Sequence, residues 1–310
     1  MREVVVFSGS AHRRLARSIC AGLGVPLSRA DITRFSNDCL EAQLQANCRQ
    51  RDVYVVQPLV PPTQEHLMEL LLMLDAARGA SAAQVTAVIP HFAYARSDKK
   101  DASRISLGGR LVADLLVAAG ATKVLTMTLH APQVHGFFSV PTDHLLATPI
   151  LVEYFEQLGL EGAVVVAPDA GHAKRAGEFA QRLKLPIAFV DKRRLSDTKV
   201  QTSSVVGDVR GKNCLIVDDE IAAGSTTIST MNALLEAGAR DVYAAATHGV
   251  LCGPAIERLK SSGLQKIAVT NTVAVPQEKQ FERLQVLSVA PLFGAAIRSV
   301  HTGESVSALF

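Results

Sequence analysis

Two adjacent carboxylates stand before a loop of small and polar residues in the second half of the chain. Asp218 and Asp219 follow the predicted strand Asn213–Val217, and the loop then leads through Gly224–Thr227 into the predicted helix Ile228–Glu236. Backbone N–H groups and the positive end of the helix dipole point into such a loop, which makes it an anion site. The carboxylates would repel a bare phosphate but suit sugar hydroxyls or a metal. The stretch predicts a sugar-phosphate site, the alternative being an ordinary capped turn.

Other candidate groups follow other predicted strands. Ligands of open parallel sheets bind beyond the carboxyl ends of the strands. Such ends carry His130, Asp169 and the basic residues Lys192 and Arg194. A carboxylate in a tight turn suits Mg²⁺, whereas imidazole is an unusual ligand for it. Cations beside the site would neutralise charge during phosphoryl transfer. The alternatives are a structural histidine and a solvated basic turn.

The charged segment Pro90–Arg104 also follows a predicted strand. It contains cationic and acidic residues throughout, namely Arg96, Asp98, Lys99, Lys100, Asp101 and Arg104. A solvated loop is one interpretation of such a segment. The other is a mobile flap whose cations close on a polyphosphate, because the forked donors of arginine match phosphate oxygens.

Short apolar strands alternate with helices along the whole chain, which predicts an α/β fold with mostly parallel sheets flanked by helices. Ala119-Gly120-Ala121 and Ala237-Gly238-Ala239 each follow a predicted helix and lead through a strand to a histidine, His130 and His248, at the same spacing. This echo favours two similar halves. We place the boundary near Pro141–Pro149, with domains 1–145 and 146–295.

The composition narrows the class of protein. The chain has 310 residues, is 48% hydrophobic and 20% charged, and carries a net charge of +3, which argues against a nucleic-acid or membrane-surface partner. Aromatic residues make up only 5% and tryptophan is absent, so a base-stacking surface is not expected. Five scattered cysteines without CxxC spacing predict reduced thiols and a cytoplasmic location. We expect neither a signal peptide nor a membrane span.

A series of motifs runs nearly from end to end: Phe7-Ser8-Gly9-Ser10, Arg34-Phe35-Ser36, Ala87-Val88-Ile89-Pro90-His91-Phe92, Leu129-His130-Ala131, Gly136-Phe137-Phe138, Pro168-Asp169, Asp191-Lys192-Arg193-Arg194 and Val217-Asp218-Asp219. Together they resemble the ribose-phosphate diphosphokinases, the enzymes that make phosphoribosyl pyrophosphate (PRPP). The resemblance implies two phosphoribosyltransferase-like α/β domains. It also implies that the tail, about residues 296–310, packs on the first domain.

The resemblance further implies a reaction and its residues. The β,γ-diphosphoryl group of Mg-ATP would pass to the anomeric hydroxyl of ribose 5-phosphate, giving PRPP and AMP. Lys192 and Arg194 would be catalytic, and His130 and Asp169 would hold Mg²⁺. ATP would bind Phe35, Asn37, Arg96, Ser97, Asp98, Lys99 and Arg104, with Phe35 stacked on adenine. Ribose 5-phosphate would bind Asp218, Asp219, Ala222, Ala223, Gly224, Ser225 and Thr226. Family members are usually oligomers, often hexamers built from dimers, and many respond to ADP and phosphate.

Several positions depart from the family pattern. Asn37 and Cys39 stand near the expected adenine where Asp and Glu are usual, and Ser97 replaces a glutamine. In the loop, Ala222 lacks a carboxylate and Ala223 lacks a hydroxyl that the family usually has. These changes keep open a diphosphokinase for another 5-substituted ribose and a non-catalytic regulatory paralogue. A transferase that consumes PRPP would explain the loop but not the charged segment or the length.

Overall fold

The computed structural model describes residues 2–160, 162–193 and 202–309. Its strands are β1 (Val4–Ser8), β2 (Ala30–Arg34), β3 (Leu40–Leu44), β4 (Asp52–Val56), β5 (Gln84–Ile89), β6 (Lys123–Met127), β7 (Thr142–Leu145), β8 (Val164–Ala167), β9 (Ile187–Arg193), β10 (Thr202–Val206), β11 (Asn213–Ile221), β12 (Asp241–Gly249), β13 (Ile267–Thr270) and β14 (Leu284–Leu287). Its helices are α1 (Arg13–Leu23), α2 (Thr63–Gly79), α3 (Gly108–Ala119), α4 (Thr148–Gln157), α5 (Ala173–Leu183), α6 (Ser225–Glu236), α7 (Ala255–Ser261) and α8 (Ala290–Thr302).

The chain divides into two compact units. The first contains Met1–Leu146, Thr272–Ala274 and Ser288–Phe310, and the second contains Ala147–Asn271 and Val275–Leu287. The chain therefore returns from the second unit to the first at Ser288, and α8 belongs to the first unit. Within that unit the Arg298 guanidinium donates to the Gly22 carbonyl at 2.9 Å, and His301 Nδ1 lies 2.9 Å from Asp52 Oδ2.

The first unit holds a parallel sheet in the order β1-β4-β5-β6-β7, with β2 and β3 as a separate antiparallel hairpin. Strand β4 is buried along its whole length, as expected of a strand covered on both faces. The strand order of this sheet runs in one direction, because each strand that joins the sheet is added beyond the preceding one.

The second unit holds a mixed sheet in the order β10-β9-β8-β11-β12-β13-β14, in which β10 is antiparallel to β9. Alternate residues of β8 enter two different cores: Val164 and Val166 pack in one, and Val165 and Ala167 in the other. Helices therefore cover both faces of this sheet. The predicted fold class, two α/β halves with mostly parallel sheets, is confirmed.

The predicted elements differ from the structure where strands are short or polar. Strands β2, β3, β7 and β14 and the seven-residue helix α7 were not predicted. Strand β7 lies at the edge of its sheet and pairs only with β6. Its sequence, Thr-Asp-His-Leu, carries little apolar signal from which a strand could be predicted. The two AGA turns do recur with left-handed glycines, Gly120 at φ 119° and Gly238 at φ 89°. His248 lies inside β12, however, whereas His130 lies beyond the end of β6.

Candidate functional site

The strand order of the second unit reverses between β8 and β11. From β8 the chain continues to β9 on one side, and from β11 it continues to β12 on the other. The two strands are themselves parallel neighbours, paired from Cys214 with Val164 to Ile216 with Val166. Such a reversal opens a crevice at the carboxyl ends of the strands, where open α/β sheets bind ligands.

The two adjacent carboxylates lie inside β11 rather than just beyond its end. The prediction that the strand ends at Val217 was wrong, because β12 remains paired with it from Asp218, opposite Ala246, to Ile221, opposite Gly249. The Asp219 side chain is 2% exposed and that of Asp218 is 12% exposed. The carboxylates are therefore held by the sheet, which fixes their positions more firmly than a loop would.

A turn after β8 brings a histidine to these carboxylates. Asp169 caps the 3₁₀ turn Ala170–His172 by accepting from the His172 backbone N–H at 3.1 Å. The same carboxylate oxygen lies 2.8 Å from His172 Nδ1. His172 Nε2 then lies 3.3 Å from Asp219 Oδ1 and 3.5 Å from Asp218 Oδ1. One imidazole thus contacts three carboxylates, two from β11 and one from the turn that follows the neighbouring strand β8.

These contacts shift the ionisation of the group. The hydrogen bond to Asp219, with the charges of Asp218 and Asp169, raises the pKa of His172 to about 9 despite its burial. Burial and the neighbouring Asp219 raise the pKa of Asp218 to about 7. Burial opposes ionisation of Asp169, but the side-chain hydrogen bond with His172, the charge of that imidazole and the backbone hydrogen bonds from His172 and Gly171 together outweigh burial and lower the pKa of Asp169. Arg175 adds a second cation, since its guanidinium lies 3.1 Å from Asp219 Oδ1.

The loop after β11 leads directly into α6. The helix begins at Ser225, three residues before the predicted start at Ile228. Gly224 stands at the N-cap in the left-handed conformation, φ 75°, and offers no side chain to cap the first turn. The helix itself supplies no carbonyl partners for the N–H groups of that turn, formed by Ser225, Thr226 and Thr227. Amides so placed, together with the helix dipole, can bind an anion.

The two alanines of the loop are fixed through their backbone. The Ala222 carbonyl accepts from the Cys252 N–H at 3.0 Å, and the Ala223 carbonyl accepts from the Arg258 guanidinium at 2.9 Å. Arg258 belongs to α7, one of the elements that sequence reasoning missed. The loop shape thus depends on the segment after β12, which the local sequence around Gly224 does not reveal.

The first unit contains the residues predicted to bind ATP. Phe35 lies at the turn of the β2–β3 hairpin with 48% of its surface exposed. The turn is closed because the Phe35 N–H donates to the Cys39 carbonyl at 2.9 Å, and the Asn37 side chain accepts from the Cys39 N–H at 3.2 Å. Arg34 beside it pairs with Asp38 and Glu65. The hairpin therefore presents an exposed aromatic ring on a fixed turn.

The charged segment after β5 is partly built into the fold. A 3₁₀ turn, Ala93–Arg96, ends in the exposed Arg96. The Ser97 hydroxyl accepts from the Gly108 N–H at 2.8 Å at the start of α3, so this side chain supports the helix. Asp98 accepts a hydrogen bond from the Gln133 side chain. Lys99 and Arg104 are exposed.

The remaining predicted residues belong to different units. His130 is half-buried in the first unit, after the end of β6. Lys192 belongs to β9, with its backbone opposite Ser203 of β10. The Lys192 side chain and the whole of Arg194 lie outside what the structure describes.

Sequence reasoning missed His172 and Arg175. A signal was present, because His172 stands three residues after Asp169 and Arg175 three residues further, the spacing that brings side chains together in a turn or helix. Their contact with β11 could not be read from spacing, since it depends on which strand lies beside β8.

Similarity to known proteins extends along the whole chain. Residues 4–120 match the model of the N-terminal domain of ribose phosphate pyrophosphokinase, and residues 193–310 match that of the phosphoribosyl synthetase-associated domain. The chain is 57% identical to a Streptomyces coelicolor protein over 311 residues, covering 100% of this chain and 98% of that one. It is 52% identical to the ribose-phosphate pyrophosphokinase of Deinococcus radiodurans, covering 99% of this chain and 98% of that one.

The fold of this chain also matches that of a solved structure. The phosphoribosylpyrophosphate synthetase from Mycobacterium smegmatis superposes with a TM-score of 0.93 at 39% identity, covering 97% of this chain and 100% of that chain.

Among the described residues, no helix has the length and apolar character needed to cross a membrane.

Proposed function

This chain belongs to the ribose-phosphate pyrophosphokinase family, and we propose that it transfers the β,γ-diphosphoryl group of Mg-ATP to the anomeric hydroxyl of ribose 5-phosphate. The hydroxyl oxygen attacks the β-phosphorus of ATP, the bond from that phosphorus to the oxygen bridging the α-phosphate breaks, and AMP leaves. The hydroxyl proton is released to solvent, and the product is PRPP.

The observation that carries the proposal is the reversal of strand order between β8 and β11, where one continuous segment carries two carboxylates and then a helix start without a side-chain cap. Asp218 and Asp219 accept hydrogen bonds from the ribose hydroxyls. The first-turn amides of α6, with the hydroxyls of Ser225 and Thr226, bind the 5-phosphate. Gly224 and the backbones of Ala222 and Ala223 complete the loop around that phosphate.

ATP binds residues of the first unit in this proposal. The exposed ring of Phe35 stacks on adenine, and Asn37 at the same turn lies near the base. Arg96, Lys99 and Arg104 contact the phosphates, because their exposed cations suit a polyphosphate. Ser97 and Asp98 act mainly by holding this segment, through their bonds to Gly108 and Gln133.

The carboxylates fit Mg²⁺, since they are hard oxygen donors and the ion needs only one or two of them beside nucleotide phosphates. Asp169 would hold the ion, and His130 would orient the Mg²⁺-triphosphate. Bound there, the ion would neutralise charge on the transferring group. Lys192 and Arg194 stabilise the same charge from the protein side.

The acceptor is where a second candidate stays open. Ala222 and Ala223 offer no polar side-chain atoms to the 5-phosphate, whereas other members of the family usually have an acid and a hydroxyl at these positions. A diphosphokinase for a ribose with another 5-substituent would account for this loss. The regulatory-paralogue alternative has less support, because the cationic and acidic positions of the site are retained.

The test is release of AMP by the purified protein with Mg²⁺, ATP and a panel of ribose phosphates. Ribose 5-phosphate should be the best acceptor, and PRPP should appear in equal amount. Lys192→Ala should lower kcat by about 10²–10³-fold, the usual effect of removing transition-state charge stabilisation. Lys174→Ala, which changes an exposed lysine of α5, is the matched control and should leave kcat unchanged. Absence of AMP with every acceptor, metal and phosphate concentration would reject the proposal.

The proposal extends to assembly and regulation. We expect a homo-oligomer built from dimers, such as a hexamer. We also expect inhibition by ADP, activation by phosphate and a cytoplasmic location. All five cysteines are free thiols, three of them buried, in keeping with a reducing compartment. Mass measurement in solution with and without phosphate tests the assembly.

A further inference from the structure

The chain leaves the first sheet abruptly just before His130. Strand β6 ends at Met127, opposite Leu145 of β7. The next N–H, that of Thr128, still donates to the Leu145 carbonyl at 2.9 Å. Thr128 then adopts φ 41°, a left-handed conformation that is rare for a β-branched residue. Such strain is retained where neighbouring contacts determine the local path of the chain.

A histidine side chain supplies the next contact. The Leu129 N–H donates to Nε2 of His144 at 2.9 Å. Leu129 is only 1% exposed, so its amide requires a partner within the protein. Because an amide can only donate, Nε2 of His144 is the unprotonated nitrogen of the ring. The imidazole thus continues the hydrogen-bonding role of β7 for one residue beyond the sheet.

The ring of His144 is itself held in place. Its backbone lies in β7, opposite Thr126 of β6. Its ring centroid lies 6.5 Å from that of His135, and His135 Nε2 lies 2.8 Å from the Thr142 carbonyl at the start of the same strand. The side chain therefore belongs to a fixed arrangement at the edge of the sheet.

We propose that His144 is a positioning residue for His130. It holds the main chain one residue before His130 and so fixes the imidazole that orients Mg-ATP; the inference rests on the role of His130 in the proposed function. An acceptor at the place of Nε2 is what this role needs. Positioning of this kind matters because small displacements of a binding group cost much of its effect.

Two substitutions separate the acceptor from the bulk of the ring. His144→Gln keeps an acceptor at about the reach of Nε2, and His144→Leu removes it. We expect His144→Leu to lower kcat/KM for Mg-ATP at least tenfold while KM for ribose 5-phosphate stays within twofold. His144→Gln should stay within threefold of wild type in both. Lys174→Ala, which changes an exposed lysine of α5 that has no part in this arrangement, is the control and should stay within twofold.

Hydrogen exchange of the Leu129 amide gives a readout independent of turnover. In the metal-free protein, exchange should be slow in wild type and His144→Gln and at least tenfold faster in His144→Leu. If His144→Leu does not fold, ¹⁵N spectra of wild type decide the point, since a protonated Nε2 would overturn the proposal. Wild-type kinetics in His144→Leu would also overturn it, as would equal loss in both variants.

Failure of the proposed function has a different signature. In that case wild type releases no AMP with any acceptor, while exchange of Leu129 and Mg-ATP affinity measured by calorimetry still report on His144. Weaker Mg-ATP binding in His144→Leu, restored in His144→Gln, would support the positioning role. Equal binding in all three proteins would reject it.

Discussion

His172 is the residue on which the acidic groups of the second sheet converge. Its two ring nitrogens contact Asp169 on one side and the Asp218–Asp219 pair on the other, at 2.8 to 3.5 Å. Three carboxylates in this space would repel one another, and an imidazolium offsets that repulsion. His172, together with Arg175 beside Asp219, therefore supplies the positive charge that makes the acidic site compatible with a stable fold in the absence of ligands.

His172→Gln should destabilise the ligand-free protein in a pH-dependent way. The pKa of His172 is raised from 6.5 to about 9 in the folded state, so its stabilisation is fully present below pH 6.5 and is lost as the pH rises through 9. We expect a loss on the order of 2 kcal/mol at pH 6, after discounting for solvent screening. Urea unfolding of both proteins at pH 6, 7.5 and 9.5 measures it. A difference that grows with pH would contradict the assignment.

Ala223→Thr should strengthen binding of ribose 5-phosphate. The substitution returns the hydroxyl that the resembled family usually has at this position, and one hydrogen bond is worth on the order of 1 kcal/mol. KM for ribose 5-phosphate should fall by roughly fivefold to tenfold, with kcat unchanged. KM for ATP in the same variant serves as the internal control. An unchanged KM for ribose 5-phosphate, with tighter binding of another acceptor, would favour the alternative substrate.

At the scale of elements, the start of α6 decides what the loop can bind. Gly224 holds the N-cap in the left-handed region, and no side chain caps the helix. Atoms near a Cβ at this position lie 3.8 Å away, so space is not the constraint. The backbone conformation is, because residues with a Cβ adopt it at a cost of about 1–2 kcal/mol.

Gly224→Ala should therefore act through the backbone. We expect a loss of about 1–2 kcal/mol in unfolding free energy and a higher KM for ribose 5-phosphate, since the loop would relax away from φ 75°. Gly22→Ala is the matched control, because no atom lies within 4 Å of its Cβ position and its conformation is helical. It should stabilise the protein by roughly 0.5–1 kcal/mol. Equal effects of the two substitutions would contradict the strain argument.

At the scale of the molecule, the two units differ in the loop between a strand and the helix that follows it, β1 to α1 in the first unit and β11 to α6 in the second. In the first unit, the N–H groups of Ser10 and Ala11 donate to Glu69 at 2.9 Å and to Gln57 at 3.1 Å. Gln57 and Glu69 are buried and bonded to each other. The following helix, α1, is capped by its own His12. These amides are engaged by the protein, whereas the first turn of α6 has no side-chain cap.

This asymmetry predicts one ribose 5-phosphate per chain. The first sheet also lacks a reversal of strand order among its described strands, so it opens no comparable crevice. Isothermal titration of the full chain with ribose 5-phosphate should give a stoichiometry of one. Ser225→Ala should weaken that binding, while Ser10→Ala should not. Two equivalent sites would show that the loop of the first unit releases its amides to ligand.

The sequence by itself determined much of this protein. Alternating apolar strands and helices, with turns at Gly120 and Gly238, specified two α/β halves, because periodicity and turn chemistry are local properties. The run from Asp218 to Thr226 predicted a sugar-phosphate loop, since its residues are neighbours in the chain. The motifs identified the family from the same local information.

Only the tertiary structure decided which residues from distant segments meet. His172 reaches Asp219 because β8 and β11 are neighbours in the sheet, and pairing with β12 keeps the two carboxylates inside the strand. His144 reaches Leu129 because β7 pairs with β6. Strand order and pairing arise from packing of the whole sheet, which no short stretch of sequence contains. The carboxylate pair was thus evident from sequence, while its cationic partner was not.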